Sequence, residues 1–144
     1  QSDLFIKQNC KNYPDVLSYN VIGEIEGYEY PKKIILIATH LDSWDLGDGS
    51  HDNGSGVVQS MEVLNNFKSL KIRPRHTIRV VLFMNNENSL SGSKEYLKNS
   101  IKKSEDNISK FCICLNRGQK CQNFMRSLVR WRRIFWLMGN LSSI

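Results

Sequence analysis

The sequence predicts an α/β domain with a mixed, largely parallel sheet flanked by helices. Two observations carry this. Three short β-branched and apolar runs, at residues 33–38, 77–84 and 111–115, are too apolar for strands with one wet face and read as strands buried on both. Between them the apolar period lengthens from two residues to about 3.6, so amphipathic helices separate the strands. Strands that alternate with helices argue parallel pairing.

The elements follow in chain order. Residues 4–8 and 19–26 read as extended, the second carrying Val21, Ile22 and Ile25 before the turn residue Gly27. After the Ile-rich run at 33–38 comes a polar loop at 39–55, punctuated by Gly47, Gly49 and Gly54. From Gly56 the period is helical: Val57, Val58, Met61, Leu64 and Phe67 fall on one side, Gln59, Glu62, Asn66 and Ser69 on the other. Pro74 closes that connection before the strand at 77–84. Residues 92–103 read as a second helix with Leu97 and Ile101 inward and lysines outward. A last amphipathic helix is expected at 124–138, with Phe124, Leu128, Trp131, Phe135 and Met138 on one stripe and Arg126, Arg130 and Arg133 opposite.

Size and composition bound the function classes. At 144 residues the chain has the length of one domain, and 40% apolar with 10% aromatic residues argues against global disorder. The longest apolar runs have five residues, where a membrane-spanning helix needs about twenty, so no membrane span is expected. Four cysteines are too few for a disulfide scaffold; Cys112 and Cys114 alternate with apolar residues as core strand side chains do. Sequons stand at Asn53, Asn107 and Asn140. The net charge of +6 invites a nucleic-acid reading, but residues 1–116 hold 14 basic and 14 acidic residues. The whole excess lies in residues 117–144, which contain Arg117, Lys120, Arg126, Arg130, Arg132 and Arg133 and no acid. The remainder carries no basic stripe for phosphates, so no nucleic-acid partner is expected.

In open α/β sheets the functional groups gather beyond the carboxyl ends of the strands. Three such ends can be read: Thr39-His40-Leu41-Asp42, then Asn85-Asn86-Glu87-Asn88, then Asn116-Arg117-Gly118. Between the first two lies His51-Asp52-Asn53-Gly54. His40, Asp52 and Glu87 are expected to converge at one sheet edge, and histidine with carboxylates is a zinc-type ligand set. Asp42 is placed to orient the His40 ring through its carboxylate. Each residue also has a structural reading. A histidine after a strand is often a hydrogen-bonded loop residue, Asp52 beside Gly54 suits a turn or cap, and Glu87 suits a solvated loop. What raises all three is their shared position at strand ends. His51 reads as an exposed loop histidine.

The segment His40-Leu41-Asp42-Ser43-Trp44-Asp45-Leu46-Gly47, followed by Asp52-Asn53-Gly54-Ser55-Gly56, resembles the signature of the two-zinc exopeptidases. The branch it resembles is that of the plasma glutamate carboxypeptidases (the carboxypeptidase Q type) and related bacterial aminopeptidases. Residues 75–83, then Glu87, Leu90, Gly92-Ser93 and Tyr96, resemble the next block, and residues 18–25 the strand before the first. The strong resemblance covers residues 18–98, and 117–144 form a diverged tail. It implies a phosphorylase/hydrolase-like zinc exopeptidase core, of which residues 1–144 form a single partial domain. It also implies hydrolysis of short peptides and a secreted or lysosomal setting, and the family binds two zinc ions per chain.

By that resemblance His40 binds one zinc, Glu87 the other, Asp52 bridges them and Asp42 supports His40. The family's general base precedes its ligand glutamate, and here Asn86 stands there, an amide that cannot take and return a proton. Asn116 occupies the place of an aspartate ligand. The expected downstream histidine has no counterpart, because the chain's histidines are His40, His51 and His76. The resemblance therefore implies one zinc or none, and an impaired exopeptidase. The alternatives are a catalytically inactive binding protein on the same fold or a non-functional truncated copy. Apolar edges left uncovered by a partial domain predict association between copies.

Overall fold

Four strands form one sheet: β1 (Val21–Ile25), β2 (Tyr30–His40), β3 (His76–Phe83) and β4 (Ile108–Cys114). They lie in the order β1-β3-β2-β4 in the computed structural model, which describes residues 4–102 and 108–114, with side chains described through Ser100. β2 runs parallel to both β3 and β4, while β1 pairs antiparallel with β3. Two helices, α1 (Ser55–Ser69) and α2 (Ser91–Lys102), make the crossovers. The sheet is mixed and largely parallel, as its near-continuous apolar strands require.

The alternation of side chains along β2 and β3 divides the core between two faces. Leu36, Ala38, Val81 and Phe83 pack against Tyr96 and Leu97 of α2. Ile37, Ile78, Val80 and Leu82 pack against Val57, Val63, Leu64 and Phe67 of α1. The helices therefore cover opposite faces. Right-handed crossovers demand this, since the chain steps from β2 to β3 in one direction and from β3 across β2 to β4 in the other. The loops leaving β2 and β3 consequently diverge, and a crevice opens between their carboxyl ends.

Several expectations change in detail. Thr39 and His40 belong to β2 rather than to the following loop, because their ladder with Leu82 and Phe83 of β3 continues to the strand end. Residues 4–8 join no strand, and Leu4, Phe5 and Ile6 are exposed. On α1 the packed stripe is Gly56, Val57, Ser60, Val63, Leu64 and Phe67; Val58 and Met61 face outward. Apolar residues occur on both sides of this helix, and the close approach to the sheet goes to the small ones, Gly56 and Ser60. On α2 the deep residue is Tyr96, whose ring meets Phe83 edge-on at 5.7 Å and whose hydroxyl accepts from Arg79 at 3.2 Å. The backbone of β4 begins earlier than expected, at Ile108. The expected helix at 124–138 and Asn116 lie outside the described residues. Among the described residues no helix is long and apolar enough to cross a membrane.

One connector fixes the β3–α2 loop. Asn20, just before β1, accepts the Met84 N–H at 3.0 Å through Oδ1 and donates to the Gly92 carbonyl at 2.8 Å through Nδ2. Gly92 has to be glycine here, because a Cβ would drive into the Met84 carbonyl and the Asn20 side chain. At the other pole, Arg75 makes two hydrogen bonds to Glu29, at 2.5 and 2.8 Å. That guanidinium holds the Glu29 carboxyl down from 4.5 to about 2, with a smaller contribution from Tyr30.

Two outcomes test this fold. Leu36→Ala, at a fully buried site, costs about 2–5 kcal/mol in denaturant unfolding, whereas Met61→Lys changes stability by less than about 0.5 kcal/mol. The Glu29 carboxyl is expected to titrate near pH 2 when followed by carbon NMR, and to move back toward the ordinary range in Arg75→Ala. Its folded-state value is depressed, so the stabilisation by the pair is present above the unfolded carboxyl range and is lost as the pH falls toward 2.

Candidate metal centre

The in-register end of the β2–β3 ladder sets the geometry. His40 pairs with Phe83, and the Leu41 N–H donates to the Phe83 carbonyl at 2.7 Å. β3 stops there because the chain turns at Asn85, whose positive φ of 58° is held by hydrogen bonds from its Nδ2 to Ser89 Oγ and Ser91 Oγ. That turn delivers Asn86 and Glu87 to the level of His40. From the other side of the crevice a short helical turn over Ser50–Gly54, interrupted at Asp52 and Asn53, leads into α1. Gly49 opens this turn at φ 62°, where any side chain would be strained and a Cβ would collide with Ser43.

His40, Asp52 and Glu87 come together: one ligand-type atom from each lies within 4.8 Å of the others. His40 Nε2 is 3.1 Å from Asp52 Oδ1 and 3.7 Å from Glu87 Oε1. The His40 and Glu87 side chains are buried, 3% and 6% exposed, while Asp52 is 54% exposed and faces the mouth. Asn86 is also buried, at 9% exposure. His51 is exposed and stands outside the cluster.

The hydrogen bonds around the ring identify its protonation pattern. His40 Nδ1 meets the backbone carbonyl of Asp42 at 2.8 Å. A carbonyl only accepts, so Nδ1 carries a proton, and Nε2, 3.1 Å from Asp52 Oδ1, is the ring atom left to face the carboxylates or a cation. Nε2, Asp52 Oδ1 and Glu87 Oε1 therefore gather two carboxylates around one ring nitrogen. A positive charge has to compensate them, either a second ring proton or a metal cation. The two spacings from Nε2 bracket the roughly 3.3 Å ligand-to-ligand separation of a tetrahedral zinc site. The donor set therefore fits a divalent cation. Charge in the sequence agrees, since residues 34–67 contain Asp42, Asp45, Asp48, Asp52 and Glu62 and no lysine or arginine.

Asp42 acts by a route its sequence position did not reveal. Its backbone oxygen takes the ring hydrogen bond, and its carboxylate Oδ1 stands 3.5 Å from Nδ1 with no hydrogen bond of its own. Carboxylate Oδ2 instead accepts the Glu87 N–H at 3.0 Å. Asp42 thus ties the loop after β2 to the loop after β3. A second link went unseen in the sequence, where Asn53 stood out as a sequon and as part of the Asp52–Gly56 segment but with no partner assigned. Asn53 is 3% exposed; its Nδ2 donates to Thr39 Oγ1 at 2.5 Å and its Oδ1 accepts the Gly56 N–H at 3.2 Å. A buried amide engaged at both atoms is closed to glycan attachment, so Asn53 drops out as a glycosylation site. Asn107 and Asn140 lie outside the described residues.

The Asp42 link is testable by exchange. Asp42→Ala leaves the Glu87 amide without its acceptor and accelerates its hydrogen exchange by about tenfold or more, the equivalent of one lost hydrogen bond to a charged group. Asp42→Asn, which keeps an acceptor oxygen, leaves that rate near the wild-type value. Equal rates in both variants would refute the link.

This chain is similar to known proteins. The family model described as peptidase family M28 matches residues 20–116. Carboxypeptidase Q of Bos taurus is 43% identical over 91 residues, covering 63% of this chain and 19% of the relative. Carboxypeptidase Q of Rattus norvegicus is 38% identical over 112 residues, covering 78% of this chain and 23% of the relative. A probable aminopeptidase of Saccharomyces cerevisiae is 35% identical over 86 residues, covering 52% of this chain and 23% of the relative. The crystal structure of a peptidase M28 precursor from Shewanella amazonensis superposes with a TM-score of 0.58 at 37% identity, covering 66% of this chain and 21% of that one. The matched stretch thus spans about a fifth of the length of these relatives. With the family model matched over residues 20–116, the chain belongs to peptidase family M28.

Proposed function

We propose that this chain carries a divalent-metal site of the zinc exopeptidase type, which receives the end of a short peptide. The observation that supports this reading most directly is the convergence of His40 Nε2, Asp52 Oδ1 and Glu87 Oε1 once Nδ1 is committed to the Asp42 carbonyl. His40, Asp52 and Glu87 would hold one zinc, which when bound polarises a peptide carbonyl beside it. The acidic loop after β2 lowers the cost of placing a cation there and attracts it from solution. By resemblance, the setting is secreted or lysosomal.

The residues present make hydrolysis weak. Asn86 occupies the position of the general base and offers a carbonyl oxygen and an N–H₂ group, neither able to accept a proton from water and return it to a leaving amine. It can still orient a bound peptide through hydrogen bonds. This favours a second reading, metal-dependent peptide binding with little or no turnover, on the same three ligands.

Metal content and turnover distinguish the readings. The expected result is one zinc per chain after dialysis, released by chelator and absent in His40→Ala. Saturating zinc at 100 times its Kd raises stability by about 2.7 kcal/mol. A chain that binds no zinc, with His40→Ala indistinguishable from wild type, would overturn the proposal. Asn86→Glu separates the two forms of it. If only the base is missing, this variant raises the hydrolysis of unblocked dipeptides by about 10²–10⁴-fold; if it binds zinc and peptide without turnover, the chain is a binding protein.

A further inference from the structure

We propose that Thr39 is a positioning residue that sets the affinity of the His40–Asp52–Glu87 cluster for a divalent cation, acting through its hydrogen bond to Asn53. The inference rests on the metal reading above and adds a determinant outside the ligand set. His40 is fixed by the strand it ends, and Glu87 by the Asp42 carboxylate. Asp52 has neither support. Its side chain is 54% exposed, it lies in the interrupted turn after Gly49, and packing cannot place its carboxylate.

What places Asp52 is its neighbour. Asn53 is the buried residue of that turn, and its side chain bridges two elements: Nδ2 to Thr39 Oγ1 in β2, Oδ1 to the first turn of α1 at Gly56. Thr39 is itself 2% exposed and adjoins His40 in the chain, as Asn53 adjoins Asp52. Two neighbouring cross-links therefore join the end of β2 to the turn: Thr39 to Asn53 in the interior, His40 to Asp52 at the mouth. The inner one is dry, so losing its acceptor leaves a buried N–H₂ group unsatisfied, a state the turn relieves by shifting. Asp52 shifts with it, and its 3.1 Å approach to Nε2 is lost. The hydroxyl is the active feature of Thr39, not its volume.

The test is zinc affinity of the full chain, read by competition with a chromophoric chelator. Thr39→Val keeps the volume and removes the hydroxyl; it is expected to weaken zinc binding by about tenfold to a hundredfold, the scale of losses when a group that orients a ligand is removed. Thr39→Ser restores the acceptor and is expected to bind within about threefold of wild type. Wild-type affinity in Thr39→Val, or equal weakening in Thr39→Val and Thr39→Ser, would overturn the inference. Should Thr39→Val fail to unfold cooperatively without metal, Asn53→Ser, too short to reach Thr39, carries the same expectation and the same refutation. His40→Ala separates the two levels: if it binds zinc as tightly as wild type, the metal reading itself falls, whatever Thr39 does.

Discussion

The parallel pairing of β2 with β3, in a register that brings His40 opposite Phe83, is the constraint on which the rest depends. Because both strands end at one level, the residues following them meet. Because the helices they lead to cover opposite faces, the two loops part and leave a crevice. Slipping β2 by one residue in this register would send Ile37 to the α2 face and turn His40 away from Glu87. The apolar alternation that fills the two core layers is therefore also what aligns the polar cluster.

Around that cluster the polar groups connect three loops rather than acting singly. Asp42 spans the ends of β2 and β3, offering a backbone oxygen to the His40 ring and a carboxylate oxygen to the Glu87 amide. Asn53 spans β2 and the start of α1. Asn20 spans the approach to β1 and the start of α2. Buried polar groups require partners, and here those partners lie on different elements, so satisfying them also fixes where the elements end.

On the proposed reading, the chain keeps the metal ligands that such a framework holds and lacks the carboxylate that would serve as base. Asn86 fits the buried position beside Glu87 because an amide is nearly the size of a carboxylate and carries no charge to desolvate. Read as standing at the general-base position, Asn86 leaves the framework intact and offers no proton acceptor. On the proposed function, metal binding and hydrolysis are therefore separable properties of the same crevice.

Much of this was legible in the sequence. The strand runs at 33–38 and 77–84, the helical period between them, and the placement of His40, Asp52 and Glu87 at strand ends follow from local pattern, because the period of apolar residues reports which sides of an element are buried. Local pattern could not choose the face of α1, where Val58 and Met61 are as apolar as Val63 and Leu64; contact with the sheet chose it. Nor could it tell that Asp42 uses its carbonyl on His40 and its carboxylate on Glu87, or that Asn53 reaches Thr39. Asn53 and Thr39 are 14 residues apart and Asp42 and Glu87 are 45, and the distance within each pair exists only once β2, β3 and α1 are packed. The sequence by itself determined which residues stand at the strand ends; the tertiary structure decided which atoms of those residues face one another.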